Sequence, residues 1–198
     1  MKLDSGYVQN IKARSKVKFY LGILTRLKIY LINKRNVLIA RHKGASIGEN
    51  VTLPYKLAKR ANGNLIIGHN TSIQSVNFDL RAPVHIGSNV IIGSDVEIIT
   101  CSHNIDSKDW KFKAYGIEID DYVWLATRCF ILPSCKKIRR GAVIAAGAVL
   151  YSNVSKMDVM TGNPASFLKK RKEVHSNLCV EGLLGNDLIT YLKARTNN

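Results

Sequence analysis

The chain has 198 residues, 46% of them hydrophobic, with 30 Lys and Arg against 14 Asp and Glu and a formal net charge of +16. This length and apolar content support one domain with a full core plus attachments, which excludes a disordered chain. The charge implies an acidic partner: nucleic acid, an anionic membrane or a phosphorylated ligand. No basic stretch is interleaved with aromatics on a plausible nucleic-acid platform and no zinc-finger spacing occurs, so no nucleic-acid partner is expected.

The N-terminal part, residues 1–42, reads as a basic helical segment. Over residues 12–36, Val17, Tyr20, Leu21, Leu24, Leu27 and Leu31 recur at threes and fours, while Lys12, Arg14, Lys16, Lys18, Arg26, Lys28, Lys34 and Arg35 load the polar side. No run approaches the roughly 20 apolar residues of a membrane span. Basic residues cut the apolar stretches, so no signal peptide is read here. Two accounts fit the helix. It docks on the rest of the protein or a neighbouring subunit, or it lies in the plane of an anionic membrane as a peripheral contact.

Residues 43–165 carry a six-residue aliphatic beat: Ile86, Ile92, Ile98, then Ile119, Leu125, Ile131, then Ile138, Ile144, Leu150, with weaker beats at Ile47, Leu53, Ile67 and Ile73. A helix stripe recurs at 3.6 residues and an ordinary strand alternates at two, so neither explains period six. Short strands meeting at corners do. Three sides make one coil, and stacked coils bury the aliphatics in ladders, which predicts an all-β solenoid. Residues 54–64 break the beat and read as a surface excursion. Residues 99–117 form a longer extruded loop, and a loop of that length in a regular solenoid points to function. Residues 166–198 form a basic tail with Lys169, Lys170, Arg171 and Lys172, then a short helical pattern around Leu183, Leu188, Ile189 and Leu192.

The four cysteines, Cys101, Cys129, Cys135 and Cys179, form no CxxC pair and follow no metal-ligand spacing. Free thiols, no bound metal and a reducing cytoplasmic setting are therefore expected. The absence of a P-loop or GxGxxG motif argues against nucleotide hydrolysis and a redox cofactor.

Several segments carry a family resemblance: IEIDDYVWLATRCFILPSC from Ile117, GAVIAAGAVL from Gly141, TGNPASFLKKR from Thr161, TCSHN from Thr100 and SVNFDLRAPVHIG from Ser75. Together they resemble the hexapeptide-repeat sugar O-acetyltransferases of the left-handed β-helix superfamily, nearest to the galactoside, maltose and polysaccharide-building members. The resemblance implies a left-handed parallel β-helix, a homotrimer with active sites between subunits, and acetyl-CoA as acyl donor. It implies His103 as the catalytic residue. It places Trp124, Thr127, Ala146, Tyr151, Ser152, Ser166 and Lys169 along the coenzyme, and Asn77 at the acceptor hydroxyl. Ala126 and Ala145 stand where the family has corner glycines, Arg139 and Arg140 replace a Gly-Asp pair, Tyr151 and Ser152 replace a common Thr-Lys, and Ser166 replaces a frequent Arg.

An alcohol attacking a thioester must lose its proton, and an imidazole titrating near neutrality suits that task. His103 lies in the one loop long enough to overhang a groove. His69 and His85 occupy solvent-facing repeat positions, and His42 and His175 lie outside the strong repeats. Asp106, Asp79 or a backbone carbonyl are the candidates to orient the imidazole. Cys101, two residues from His103, suggests a covalent route, but direct transfer with backbone amides steadying the oxyanion is the expected mechanism. The expected activity is transfer of acetyl to a sugar hydroxyl in O-antigen or capsule assembly. N-acetylation of an amino-sugar nucleotide and a non-catalytic scaffold are the alternatives.

Overall fold

A computed structural model describes residues 5–175 and 186–196. Cys179 and Leu183 lie outside the described residues. The chain opens with α1 (Ser5–Lys12) and α2 (Lys16–His42), followed by β1 (Ser46–Ile47) and α3 (Tyr55–Arg60). A three-sided coil follows as β2 (Leu65–Ile67), β3 (Ser72–Ile73) and β4 (Asn77–Phe78), and a second as β5 (Val84–Ile86), β6 (Ile91–Ile92) and β7 (Glu97–Ile98). A hairpin of β8 (Cys101–His103) and β9 (Phe112–Ala114) then leaves the solenoid. Two more coils run β10 (Ile117–Ile119), β11 (Trp124–Leu125), β12 (Phe130–Ile131) and β13 (Lys137–Ile138), β14 (Val143–Ile144), β15 (Val149–Leu150). The end is β16 (Asp158–Thr161), β17 (Ser166–Lys170) and α4 (Leu188–Thr196).

Each side of the coil stacks on the same side of the next, giving three parallel faces. Face one is β1-β2-β5-β10-β13, face two is β3-β6-β11-β14-β16-β17, and face three is β4-β7-β12-β15. Register follows the six-residue beat. Ile47, Ile67, Ile86, Ile119 and Ile138 pair in one ladder, and Ile73, Ile92, Leu125, Ile144 and Met160 in the second. Phe78, Ile98, Ile131 and Leu150 make the third. All these side chains are buried in one continuous core, the arrangement expected of the left-handed parallel β-helix. The corner between faces one and two turns through a column of left-handed residues, Asn50, Asn70, Asn89, Tyr122, Gly141 and Met157. Asn tolerates this conformation better than most residues, which explains its recurrence there.

The segment 54–64 is not a surface excursion. Its helix α3 follows the Thr52–Ser72 bridge of the first coil, and Leu57 and Ala58 are fully buried in the core. The beat breaks because a helix, not a strand, supplies this side of the coil. α2 anchors next to it, with Asn36 Nδ2 donating to Leu53 O at 2.9 Å and Val37 and Ala40 joining the core.

The N-terminal helix differs from its expected bounds. It divides at residues 13–15, where Ser15 caps α2 by accepting from the Lys18 amide. It then continues to His42 because Asn36, Val37 and Ala40 pack on the first coil. α4 returns to pack on α1 and α2. Its Tyr191 is fully buried, stacks on Phe19 at 4.9 Å between centroids, and donates to Phe19 O. A Cβ at Gly22 would lie 2.9 Å from Tyr191 Cζ, so a side chain at Gly22 would crowd this ring. At the other end β17 pairs antiparallel with β16, so the sheet extends past residue 165 into the expected tail. Among the described residues, no helix is long and apolar enough to cross a membrane.

Candidate active site

The extruded hairpin is tied to the solenoid at its base. Thr100 Oγ1 donates to Asp79 O at 3.0 Å, and the Asp79 carboxylate accepts from Thr100 N and from Arg81 Nε and Nη2 at 2.8 and 2.9 Å. The Arg81 hydrogen bonds hold the Asp79 carboxyl well below the usual carboxylate range. The same guanidinium lies 5.8 Å from the centroid of the Phe112 ring on β9, so Arg81 joins face three to the hairpin.

His103 stands at the exposed end of β8, opposite Phe112. Its Nδ1 lies 2.5 Å from Trp110 O. A carbonyl can only accept, so Nδ1 carries a proton, and in the neutral ring Nε2 is the nitrogen with the lone pair. Trp110 adopts a left-handed backbone, φ 49°, in the turn that brings its carbonyl to the ring. Of the three candidate orienting groups, the structure selects a backbone carbonyl. The Trp110 and Phe112 rings flank the imidazole at 6.3 and 5.9 Å. The pattern of residues gave no sign of Trp110 as the partner, because a carbonyl has no residue signature. The only local clue was the density of aromatics in the loop.

The thiol of Cys101 is buried beside Thr100 Oγ1 at 3.5 Å, not hydrogen-bonded to the imidazole. Burial pushes the Cys129 and Cys135 thiols up to about 12, which keeps them protonated and unreactive. Among the described residues, no cluster of His, Cys, Asp and Glu could hold a metal ion.

A second group of the expected residues lies on face two. Trp124 on β11 is 44% exposed, so it is not a filler between coils. It shares a register row with Val143 of β14, Val159 of β16 and Lys169 of β17. At about 4.8 Å per strand, Lys169 lies about 14 Å along the face from Trp124. Thr127 and Ala146 occupy stacked corners between faces two and three, where Thr127 O accepts from Gly147 N at 3.1 Å. A Cβ at Gly93 would come within 2.9 Å of Thr127 N, so this corner is tightly stacked. Ser166 begins β17 opposite Thr161, and the adjoining Ala165 N donates to Val149 O at 2.8 Å.

The basic cluster divides by role. Lys170 pairs with Asp158, and Arg171 Nη1 donates to Tyr122 O and Gly141 O at 3.1 and 3.2 Å. Lys169 makes no ion pair among the described residues and is exposed in the row that holds Trp124.

Asn77 is exposed on β4 of face three, in register with Glu97. Tyr151 and Ser152 are exposed just past β15, at the far end of face three. The structure therefore groups Trp124, Thr127, Ala146, Ser166 and Lys169 on face two and its edge. It sets Asn77 on face three, and His103 on the hairpin that leaves the chain after that face. Tyr151 and Ser152 stand apart from the face-two group. The histidine and the tryptophan occupy different sides of one prism.

No protein-family profile matches the chain. An acetyltransferase-named protein of Schizosaccharomyces pombe is 34% identical over 95 residues, which span 45% of this chain and 44% of that protein. The chain therefore spans less than half the length of that relative. A Saccharomyces cerevisiae protein, also named as an acetyltransferase, is 30% identical over 182 residues, 87% of this chain and 90% of that protein. A protein of Escherichia coli K12 named as a colanic acid biosynthesis acetyltransferase, WcaF, is 28% identical over 131 residues, 66% of this chain and 71% of that protein. Among solved structures, a hexapeptide-repeat acetyltransferase of Vibrio cholerae complexed with acetyl-CoA shares the fold, with a TM-score of 0.60 at 24% identity over 80% of this chain and 92% of that one. The buried six-residue ladders, the coils that stack them and the near full-length yeast relative agree: this chain belongs to the hexapeptide-repeat acetyltransferase family.

Proposed function

We propose that the chain transfers acetyl from acetyl-CoA to a sugar hydroxyl in the assembly of a surface polysaccharide. The observation that carries this reading is the His103–Trp110 hydrogen bond, which leaves Nε2 as the free basic atom of an exposed imidazole. Nε2 takes the proton of the acceptor hydroxyl as its oxygen attacks the thioester carbonyl carbon. The C–S bond then breaks, and the coenzyme thiolate leaves and recovers that proton from the imidazolium. Backbone amides at the tightly stacked corners are the available donors for the oxyanion.

On this reading Trp124 lies against the pantetheine arm, with Thr127, Ala146 and Ser166 beside it. Lys169 meets the coenzyme phosphates, and Tyr151 and Ser152 lie at the far end of its path. Asn77 contacts the acceptor. Acetyl-CoA in the Vibrio cholerae complex and the colanic acid role named for WcaF support the donor and the acceptor class.

The site is completed by a second copy, in a homotrimer. The hairpin exposes Ile105, Trp110 and Phe112, an apolar edge suited to a neighbour's face two. His103 of one subunit then faces Trp124 of the next. The buried free thiols fit a reducing, cytoplasmic setting.

The test follows thiol release from acetyl-CoA with panels of hydroxyl and amino acceptors. Release that depends on a sugar hydroxyl and disappears in His103→Ala supports the reading. Release with amino acceptors alone makes the protein an N-acetyltransferase. Failure to bind acetyl-CoA makes it a scaffold.

A further inference from the structure

The strongest apolar pattern of α2 does not face its own protein. Val17, Tyr20, Leu24, Leu27 and Leu31 follow at alternating steps of three and four, and Leu38 comes seven residues on, which lines all six along one side of the helix. All six are exposed, with Val17 at 70%, Leu24 at 64% and Leu38 at 62%. The opposite side does the docking: Phe19, Asn36, Val37 and Ala40 are buried, and Arg26 pairs with Asp187 at 2.9 Å. α2 is thus committed on one side and bare on the other, along a helix about 40 Å long at 1.5 Å per residue.

The charge around the bare side is of one sign. Residues 5–48 contain ten Lys and Arg and no Asp or Glu. Lys28 and Arg35 flank the stripe, and Lys34 continues its spacing between Leu31 and Leu38. At that end the stripe meets a cleft of about 740 Å³ lined by Tyr30, Lys34, Leu38 and Ile189 among others.

Two occupants suit a stripe with this spacing. A second α2 in a coiled coil would bring cations against cations at Lys28, Lys34 and Arg35, with no acidic residue on either helix to offset them. A layer of anionic headgroups offers the opposite charge to every one of these residues. It also accepts an apolar side chain at shallow depth while Lys and Arg extend to the phosphates.

We propose that the exposed side of α2 is a docking surface for an anionic lipid bilayer. The helix lies in the interfacial plane, with Leu24, Leu27, Leu31 and Leu38 below the headgroups and Lys28, Lys34 and Arg35 among them. This holds the solenoid at the membrane surface with no described helix crossing it. The proposal stands on the helix alone and does not depend on the acetyl-transfer reading.

The full chain is sedimented with vesicles of phosphatidylcholine alone or with 30% phosphatidylserine, at low and high salt. The expected result is pelleting with the anionic vesicles only, weakened by salt. Leu24→Glu with Leu31→Glu lowers vesicle binding at least tenfold, while the circular dichroism spectrum and oligomeric mass stay those of the parent chain. Lys28→Gln with Arg35→Gln lowers it less and removes part of the salt dependence. Equal recovery with neutral and anionic vesicles, or with neither, overturns the proposal. So does a fall in oligomeric mass in the double glutamate variant, which would assign the stripe to a second copy of the chain.

Discussion

His103 Nδ1 and the carbonyl oxygen of Trp110 meet at 2.5 Å across the extruded hairpin, and this contact decides which imidazole nitrogen is basic. On the proposed reading, His103→Ala removes the base. The expected loss in kcat is about 10²–10⁴-fold, with the KM for acetyl-CoA nearly unchanged. Trp110→Ala keeps the carbonyl and loses only the flanking ring, so its kcat falls less than tenfold. Cys101→Ala keeps its activity. Steady-state kinetics on the three variants check this, and a dead but folded Cys101→Ala would restore the covalent route.

Lys169 and Trp124 share a row of face two, and neither is committed to the fold. Lys169→Ala raises the KM for acetyl-CoA, and the increase shrinks with added salt because exposed charge contacts are screened over about 8–10 Å. Arg171→Ala behaves differently. Its guanidinium holds two corner carbonyls, so the expected effect is a lower Tm. A KM change of the same size in both variants would contradict the division.

The ladders were legible because one beat governs both sequence and packing: each aliphatic at period six is a buried rung. Phe78 and Met160 are rungs that interrupt the aliphatic pattern and were missed for that reason. α3 was misread because its buried Leu57 and Ala58 have helical neighbours and so fall off the beat. Periodicity found the apolar stripe of α2 but not which side would dock. The docked side depends on partners far along the chain, such as Asp187 for Arg26, which local spacing does not contain. In the site, loop length pointed to His103 and the family motif to Trp124. The row joining Trp124 to Lys169 was not readable, because it arises from the antiparallel return of β17 onto β16, with an irregularity between Val159 and Met160.

Leu57 tests the end of the solenoid. It is fully buried in the main core although it sits on a six-residue helix. Leu57→Ala removes buried methyl and methine groups and leaves a cavity, at a cost of about 2–5 kcal/mol. The exposed neighbour Lys56→Ala costs within about 0.5 kcal/mol. Chemical denaturation of the two variants separates a core helix from a surface loop. Equal midpoints would return residues 54–64 to the surface.

The stability of the segment at residues 171–175 is expected to depend on pH through His175. Its Nε2 donates to Asn89 O at 2.7 Å, and its Nδ1 accepts from Arg171 Nη2 at 3.1 Å. The neutral Nε2–H tautomer satisfies both contacts, whereas a proton on Nδ1 would face the guanidinium. Burial lowers the His175 pKa from 6.5, the Asn89 contact partly opposes this, and the Arg171 charge lowers it further. The folded chain therefore binds fewer protons than the unfolded one as the pH falls below about 6.5. The contribution of His175 is fully present above that pH and is lost as the pH falls toward the lower folded value. His175→Gln loses the paired contacts at every pH, about 1 kcal/mol for a buried hydrogen bond, and cannot titrate. The difference in Tm between the parent chain and His175→Gln is expected to be largest at pH 7.5 and to shrink toward pH 5. A difference that stays constant across that range would show that His175 keeps one protonation state and that residues 171–175 do not respond to acid through it.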